Sequence, residues 1–285
     1  MEPIAQQCVF DLARNIHHVP EMTQLKLKHV QMGEKECIVL ATSLKNVNKL
    51  QVLEIGSNPL GHGIMVLADQ LNCLSNLIAL NLDDTEMGEK EATAVTQCLP
   101  SLSQLKMIHL SGNPLGHGII ELAEHLKCLP GLTELELAQT KMGAEEATAV
   151  AHCLPSLSQL MRLNLSVNPL GHGIVQLAER LKCVPNLTEL LLHNTHMNKN
   201  QVYALARALK HVPKLRRLQL YDNPLGRGVR VLIQNLSNVP ELRKLFLRGV
   251  TMTKKEANDL GAVRELISDY HVSVPLYRLI ISNTS

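Results

Sequence analysis

The chain has 285 residues, of which 45% are hydrophobic and 19% charged, and its formal net charge is +2. This balance excludes an intrinsically disordered protein, and no stretch approaches the roughly 18 consecutive apolar residues of a membrane-spanning helix. Only 2% of the residues are aromatic, so we predict a core of aliphatic side chains with thin, repetitive packing.

Residues 1–20 are predicted to form a helical half-repeat, because the segment 15–20 parallels the end of a later helix at 211–213. The N-terminus lacks a basic segment followed by an apolar one, which argues against a signal peptide. The seven cysteines are odd in number and show no C-x-x-C spacing. Reduced thiols and a cytoplasmic location are therefore predicted.

A repeat of 55 residues organises the chain that follows. The motif N-P-L-G-H-G-I occurs at 58–64, 113–119 and 168–174, with the variant N-P-L-G-R-G-V at 223–229. Turns of the type T-x-M alternate with these motifs, so that each repeat contains two units of 28 and 27 residues. An L-x-L pair in each unit predicts a short strand with alternate side chains inward. Acidic residues and a helical apolar spacing follow, as in 143–154, and predict a helix.

One such unit cannot bury its own apolar face, whereas stacked units can. We therefore predict an α/β solenoid shaped like a horseshoe, with a parallel sheet on the concave face and helices on the convex face. A single domain is predicted over residues 1–285. It comprises the half-repeat, nine full strand–helix repeats over 21–257 and a divergent C-terminal capping repeat over 258–285, with a tenth strand at Leu279–Ile281.

The L-x-x-L-x-L frames and their turns resemble leucine-rich repeats of the ribonuclease-inhibitor-like class. The alternating N-P-L-G and T-x-M-G turns are also similar to the C-terminal repeat arrays of NOD-like receptors, closest to those of lancelet-like invertebrate chordates. This resemblance implies a non-enzymatic module for protein interaction or ligand recognition in innate immunity. Two alternatives stay open: an enzyme regulator of ribonuclease-inhibitor or GTPase-activating type, and an autoinhibitory segment of a larger receptor.

Two series of equivalent residues invite a chemical role. His62, His117 and His172 lie two units apart, about 10 Å or more, which is too far for a shared zinc ion. We therefore predict turn residues, no metal and no cofactor. Five cysteines, at 73, 98, 128, 153 and 183, are predicted to form one ladder at the helix ends. No catalytic motif is present, and few rings are available to stack on bases, so neither an enzyme nor a nucleic-acid-binding protein is predicted.

The outward strand positions are the predicted binding surface. Two of the scarce rings, Tyr221 and Phe246, fall on neighbouring strands there, and aromatic residues with arginine are typical of interface hot spots. The predicted partner-binding residues are Leu191, His193, Arg217, Tyr221, Lys244, Phe246 and Arg248. The alternative is a set of scattered surface residues, or residues covered by the C-terminal cap.

Charge is divided unequally along the chain. Residues 1–185 contain 13 basic and 19 acidic side chains, a net charge of −6, whereas residues 186–285 contain 15 and 7, a net charge of +8. Such asymmetry bears on partners rather than on the fold. The resemblance implies a protein or microbial ligand on the concave face. The charge asymmetry could steer such a partner, and it would also permit self-association through the oppositely charged ends.

Overall fold

A computed structural model describes residues 4–248 and the strand 269–271, with side chains over 7–248. In the described chain, ten parallel strands form one open sheet in sequence order. They are β1 (Gln24–Lys26), β2 (Val52–Glu54), β3 (Ala79–Asn81), β4 (Met107–His109), β5 (Glu134–Glu136), β6 (Arg162–Asn164), β7 (Glu189–Leu191), β8 (Arg217–Gln219), β9 (Lys244–Phe246) and β10 (Asp269–His271). Equivalent repeat positions pair, such as Gln24 with Val52 and Val52 with Ala79.

A helix precedes β1 and follows each strand from β1 to β8. The helices are α1 (Ile4–Asn15), α2 (Glu34–Ser43), α3 (Gly63–Leu71), α4 (Glu89–Cys98), α5 (Gly118–Leu126), α6 (Ala144–Cys153), α7 (Gly173–Arg180), α8 (Lys199–Ala208) and α9 (Gly228–Asn235). Short 3-10 helices continue seven of them, at Ile16–His18, Leu44–Asn46, Leu99–Ser101, Leu154–Ser156, Leu181–Cys183, Leu209–His211 and Leu236–Asn238. None of the helices that the structure describes is both long and apolar enough to cross a membrane.

The core lies between the sheet and the layer of helices, and it is aliphatic as predicted. The middle residue of a strand points inward, and Leu53, Leu135 and Leu163 are fully buried. The second leucine of the pair is buried just beyond the strand, as Leu137 shows. Each unit therefore closes its apolar face against its neighbours, and the predicted leucine-rich-repeat solenoid is confirmed.

A buried asparagine holds the turn after every second strand, at positions 58, 113, 168 and 223. The side-chain oxygen of Asn113 accepts hydrogen bonds from the N–H groups of Thr85 (2.9 Å) and Met87 (3.0 Å) in the preceding unit. Its NH₂ group donates to the carbonyls of Leu82 (2.6 Å) and Leu110 (3.0 Å). One amide thus satisfies backbone groups of two units at once. In the intervening unit, the Thr85 hydroxyl donates to the Leu82 carbonyl as well.

Two histidines of the N-P-L-G-H motif, His62 and His117, contact carboxylates of the next unit. The Nδ1 atom of His62 lies 2.6 Å from a carboxylate oxygen of Glu91, and the other oxygen of Glu91 accepts from the N–H of Gly88 at the start of α4. His117 makes the same 2.6 Å contact with Glu146. The rings are exposed, as expected for turn residues, but the sequence did not reveal these contacts with the next repeat.

The cysteines occupy two kinds of helix-end position, so the predicted single ladder is wrong. Cys98 and Cys153 are the last residues of α4 and α6 and are buried, whereas Cys73 and Cys128 lie beyond α3 and α5 and are exposed. Cys183 is half-buried. The spacings of 25 and 30 residues differ from the unit lengths of 28 and 27, so successive cysteines cannot be equivalent.

The place beside β9 is occupied by β10, whose Asp269 pairs with Lys244. We expected a tenth strand at Leu279–Ile281, and those residues lie outside the described part of the chain. The 25 residues from Lys244 to Asp269 are close to the length of one unit. The predicted strand at Leu279–Ile281 would lie further along the chain than one unit. Apart from β10, the predicted capping repeat at 258–285 also lies outside the described residues.

Candidate binding surface on the concave face

The first and third residues of each strand, and the second residue beyond it, line the concave face. In β8 these are Arg217, Gln219 and Tyr221, while Leu218 between them is fully buried. The structure brings all seven predicted binding residues to neighbouring positions on β7, β8 and β9 or directly after these strands. We call this set the C-terminal concave patch: Leu191, His193, Arg217, Tyr221, Lys244, Phe246 and Arg248.

Two rings of the patch stack on each other. The ring centroids of His193 and Tyr221 are 4.2 Å apart, and their planes differ by 10°. Burial lowers the pKa of His193 below its usual 6.5, against the opposing effect of the Asp222 carboxylate. The imidazole is therefore neutral at pH 7, and the pair presents an uncharged, flat surface.

Arg217 lies at the centre of the patch. Its guanidinium carbon is 5.4 Å from the ring centroid of Phe246, which is a cation–π distance. With its amide oriented to satisfy both neighbours, Gln219 accepts from Arg217 (2.6 and 3.0 Å) and donates to Nδ1 of His193 (3.3 Å). Arg217 also lies 3.9 Å from a carboxylate oxygen of Glu189. These contacts hold the guanidinium in one position between the two ring groups.

The remaining members of the patch differ in exposure. Leu191 is only 4% exposed, because it lies between Asn164 and Gln219 on the adjacent strands. It therefore supports the floor of the patch, whereas we expected an accessible contact. Lys244 and Arg248 are exposed at the C-terminal side, and the Arg248 guanidinium is 3.9 Å from the Asp222 carboxylate.

Sequence reasoning missed two residues that organise the patch, Gln219 and Glu189. Both occupy outward strand positions, so the L-x-L frame placed them on the correct face. Their role depends on side-chain contacts between strands, which the frame does not specify. One signal could have indicated the role of Gln219. It is a polar residue in register between two predicted contact residues, Leu191 and Phe246.

The centre of the concave face carries charges that are paired with one another. Arg162 binds the carboxylates of both Glu136 and Glu189 across three strands. Closer to the N-terminus, Nε2 of His109 is 3.5 Å from the Glu134 carboxylate. Arg162 is thus held between carboxylates of the two adjacent strands, so these paired charges offer a partner less attraction than free charges would.

The convex side brings one histidine close to two carboxylates. Ligand atoms of His117, Glu145 and Glu146 lie within 4.8 Å of one another. The spacing argument against a metal compared only histidines and missed this group. However, one oxygen of Glu146 already contacts His117 and the other accepts from the N–H of Gly143. Helix capping explains the arrangement, and the prediction of no metal stands as a prediction.

No protein-family model matches the chain. Among curated proteins it is 26% identical over 272 residues to Protein NLRC5 of the catfish Ictalurus punctatus, covering 82% of this chain and 15% of that protein. It is 29% identical over 266 residues to NLR family CARD domain-containing protein 4 of Bos taurus, covering 90% and 22%. It is 29% identical over 257 residues to mouse ribonuclease inhibitor, covering 86% and 56%.

Among solved structures, an internalin (inlF) of Listeria monocytogenes aligns with a TM-score of 0.51 at 17% identity, covering 94% of this chain and 89% of that one. This likeness supports the solenoid fold alone. The chain is thus a leucine-rich-repeat solenoid by its fold, and its sequence is similar to the two NOD-like receptors and to ribonuclease inhibitor. It spans about a fifth of the length of these two receptors. The specific likeness to lancelet arrays stays a prediction.

Proposed function

We propose that this array recognises a protein or microbial ligand through the C-terminal concave patch, as part of innate-immune sensing in the cytoplasm. The observation that carries the proposal is the fixed arrangement of rings around Arg217, with His193 stacked on Tyr221 and Phe246 at 5.4 Å from the guanidinium. Ordering side chains on binding costs free energy, so a surface that is already ordered binds more tightly.

The chemistry of the patch favours an acidic and partly apolar ligand surface. The stacked rings and Phe246 supply half-buried apolar area, while Lys244 and Arg248 add positive charge on one side. Aromatic residues next to arginine are frequent among residues that dominate binding energy. A carboxylate of the ligand would find its opposite charge at this rim, and the neighbouring apolar group would cover the rings.

The test compares ligand capture by three immobilised proteins: the wild-type chain, a Tyr221→Ala/Phe246→Ala variant and a control. The control is Lys26→Ala/Glu54→Ala, which removes a 3.0 Å ion pair at outward positions on the opposite end of the sheet.

A ligand that supports the proposal should be captured less by the aromatic variant than by the wild type, and equally by the control and the wild type. Its affinity, measured by calorimetry, should weaken by at least about 2 kcal/mol, or roughly 30-fold. Neither ring belongs to the core, so the melting temperature should change little. Equal capture by all three proteins would place the site elsewhere, and unfolding of the aromatic variant would make the rings structural.

A second candidate is regulation of an enzyme, which the 29% identity to mouse ribonuclease inhibitor favours. Inhibition of a purified pancreatic-type ribonuclease by the chain would support this function. Stimulation of a purified GTPase is the corresponding assay for a GTPase-activating role. An autoinhibitory role within a larger receptor agrees with the small share of the receptor relatives that the chain spans.

Self-association through the oppositely charged halves is a further contact that we propose. The acidic residues 1–185 of one copy would face the basic residues 186–285 of another. Because such attraction is screened by salt, sedimentation should show larger species at low ionic strength that dissociate at about 0.5 M salt. A single species at every salt concentration would exclude it.

A further inference from the structure

An open cleft lies on the edge of the solenoid where the strands end and the turns begin. It has a volume of about 430 Å³ and is lined by Gly112, Pro114, Gln139, Lys141, Val167 and Pro169. Pro114 and Pro169 belong to two successive N-P-L-G motifs, and the turn with Lys141 lies between them. The cleft is therefore formed by three consecutive turns and is separate from the C-terminal concave patch.

Val167 in this cleft is strained. It occupies the residue before the N-P-L-G motif, where the other repeats have Ser57, Gly112 and Asp222. All four have a left-handed backbone, with φ of 58° at Val167 and 56°, 72° and 54° at the others. Glycine and aspartate tolerate this conformation, whereas for a β-branched residue it is an outlier that costs free energy.

The structure holds Val167 in this conformation. Its N–H donates to the carbonyl of His193 in the next unit, at 2.9 Å. Directly after it, the buried Asn168 accepts from the N–H groups of Thr140 and Met142. The repeat itself therefore fixes the backbone at this position. Serine or aspartate would serve the turn as well as valine does. The geometry of the turn alone does not account for a valine here.

Val167 is also one of the few large apolar side chains that the described chain exposes, at 37%. Strain and apolar exposure thus occur at the same residue, and that residue lines the cleft. Sequences that break local rules without a structural gain do so most often at functional sites. An apolar contact with a partner would bury the valine and offset both costs.

Lys141 gives the cleft a charge. It is exposed at the rim and also has a left-handed φ, of 59°. Glu86 occupies the equivalent place in the preceding repeat, so the charge at this position is reversed here. Within the part of the chain that the structure describes, no carboxylate lies within ion-pair distance of Lys141. Its ammonium group is therefore available to an acidic partner group.

We propose that this turn-edge cleft is a second interaction site, which binds a protein segment carrying an aliphatic side chain next to an aspartate or glutamate. The aliphatic side chain enters between Pro114 and Pro169 and covers Val167, and the adjacent carboxylate pairs with Lys141. Two proline rings and a valine form a rigid apolar floor, which selects an apolar side chain. The single cation beside it selects the neighbouring acidic residue.

The test uses random peptides of about twelve residues, displayed on phage and selected on the full chain. Peptides enriched on the wild type should share an aliphatic residue adjacent to aspartate or glutamate. A synthetic peptide from this set should bind at least about tenfold more weakly to Val167→Ser and to Lys141→Glu. Both substitutions introduce the residue found at the equivalent position of another repeat, at Ser57 and Glu86, so the turns accommodate them.

Two controls separate binding in this cleft from binding at the concave patch and from a general effect of altering a turn. Ser57→Asp alters the same turn position in another repeat and should leave the peptide affinity unchanged. The Tyr221→Ala/Phe246→Ala variant should also leave it unchanged, so failure of the concave-patch proposal and failure of this one are distinguishable. In addition, Val167→Ser should raise the melting temperature by about 2–4 °C, because it relieves the strained valine.

The proposal is overturned if no shared motif is enriched, or if the enriched peptides bind Val167→Ser as tightly as the wild type. Peptides that lose binding to the aromatic variant would assign the contact to the concave patch instead. A lower melting temperature for Val167→Ser would show that the valine stabilises the fold and would remove the strain argument. Concentration-dependent dimers of the wild type that Val167→Ser dissociates would make a second copy the occupant.

Discussion

Replacement of Asn113 by alanine tests whether the buried amides join the repeats. Asn113 is fully buried, and its side chain bonds four backbone groups at 3.0 Å or less: two N–H groups of the preceding unit and two carbonyls. A fifth, longer bond of 3.3 Å reaches the carbonyl of Ser111. The substitution leaves the N–H groups of Thr85 and Met87 without this acceptor. It also removes a donor from the carbonyls of Leu82 and Leu110.

The expected cost follows from these four groups. A buried polar group without a partner costs about 1–3 kcal/mol. The Leu82 carbonyl keeps the Thr85 hydroxyl as a donor at 2.9 Å, so it contributes little to the loss. Water that enters the shortened site can satisfy part of the remainder. We therefore expect Asn113→Ala to lower the free energy of unfolding by about 4 kcal/mol, a large share of the 5–15 kcal/mol typical of a domain.

Urea unfolding followed by circular dichroism measures this cost, with Asn76→Ala as the matched control. Asn76 also donates a hydrogen bond to the preceding unit, to the carbonyl of Asn48 at 2.9 Å, but it is exposed. The control should cost less than about 0.5 kcal/mol. Because repeat arrays can unfold in parts, hydrogen exchange at the amides of Thr85 and Met87 supplies a local measurement. Equal costs for the two variants would refute the reasoning.

Three further outcomes are expected. Thr96→Val should raise the free energy of unfolding by about 1–3 kcal/mol, because the buried Thr96 hydroxyl has no hydrogen-bond partner among the residues that the structure describes; unchanged urea midpoints would contradict this. Burial opposes ionisation of Glu91, but hydrogen bonds from its own backbone, His62 and Gly88 outweigh it and lower its pKa below 4.5. Its contribution to stability is therefore complete above about pH 4.5 and lost as pH falls through the lowered pKa, so Glu91→Gln should flatten the pH dependence of unfolding in acid. Native thiols should react with a maleimide in two groups: fast at the exposed Cys8, Cys73 and Cys128, and slow where burial raises the pKa to about 12, at Cys37, Cys98 and Cys153.

The strands and helices were predictable because stacking requires each unit to repeat one apolar pattern. Each L-x-L pair from Leu25 to Leu245 marks a strand of the observed sheet. The pattern also assigns outward positions, so the binding patch could be predicted as a set. It did not indicate that Leu191 is covered, since coverage depends on the size and direction of side chains on the adjacent strands.

Contacts between repeats were the main omission. The sequence showed that His62 and His117 are equivalent, but their partners, Glu91 and Glu146, lie 29 residues away in units of the other type. Comparing histidines only with one another therefore missed the pairing. The strand that pairs with β9 is Asp269–His271, about one unit length further along the chain, whereas the L-x-L pattern at Leu279–Ile281 lies outside the described residues.

Two adjacent positions in the N-P-L-G turns differ in how much they vary between repeats. This difference distinguishes a residue that the fold requires from one that is available for interaction. Positions 58, 113, 168 and 223 are asparagine in all four motifs, and each is buried with its amide bonded to backbone groups of two units. The residue immediately before them has the same left-handed backbone in every motif, yet it is serine, glycine, valine or aspartate. Because the geometry is shared, a difference between such residues does not arise from the turn. Val167 departs from its own equivalents in the direction that costs free energy, which is why it indicates a contact outside the fold.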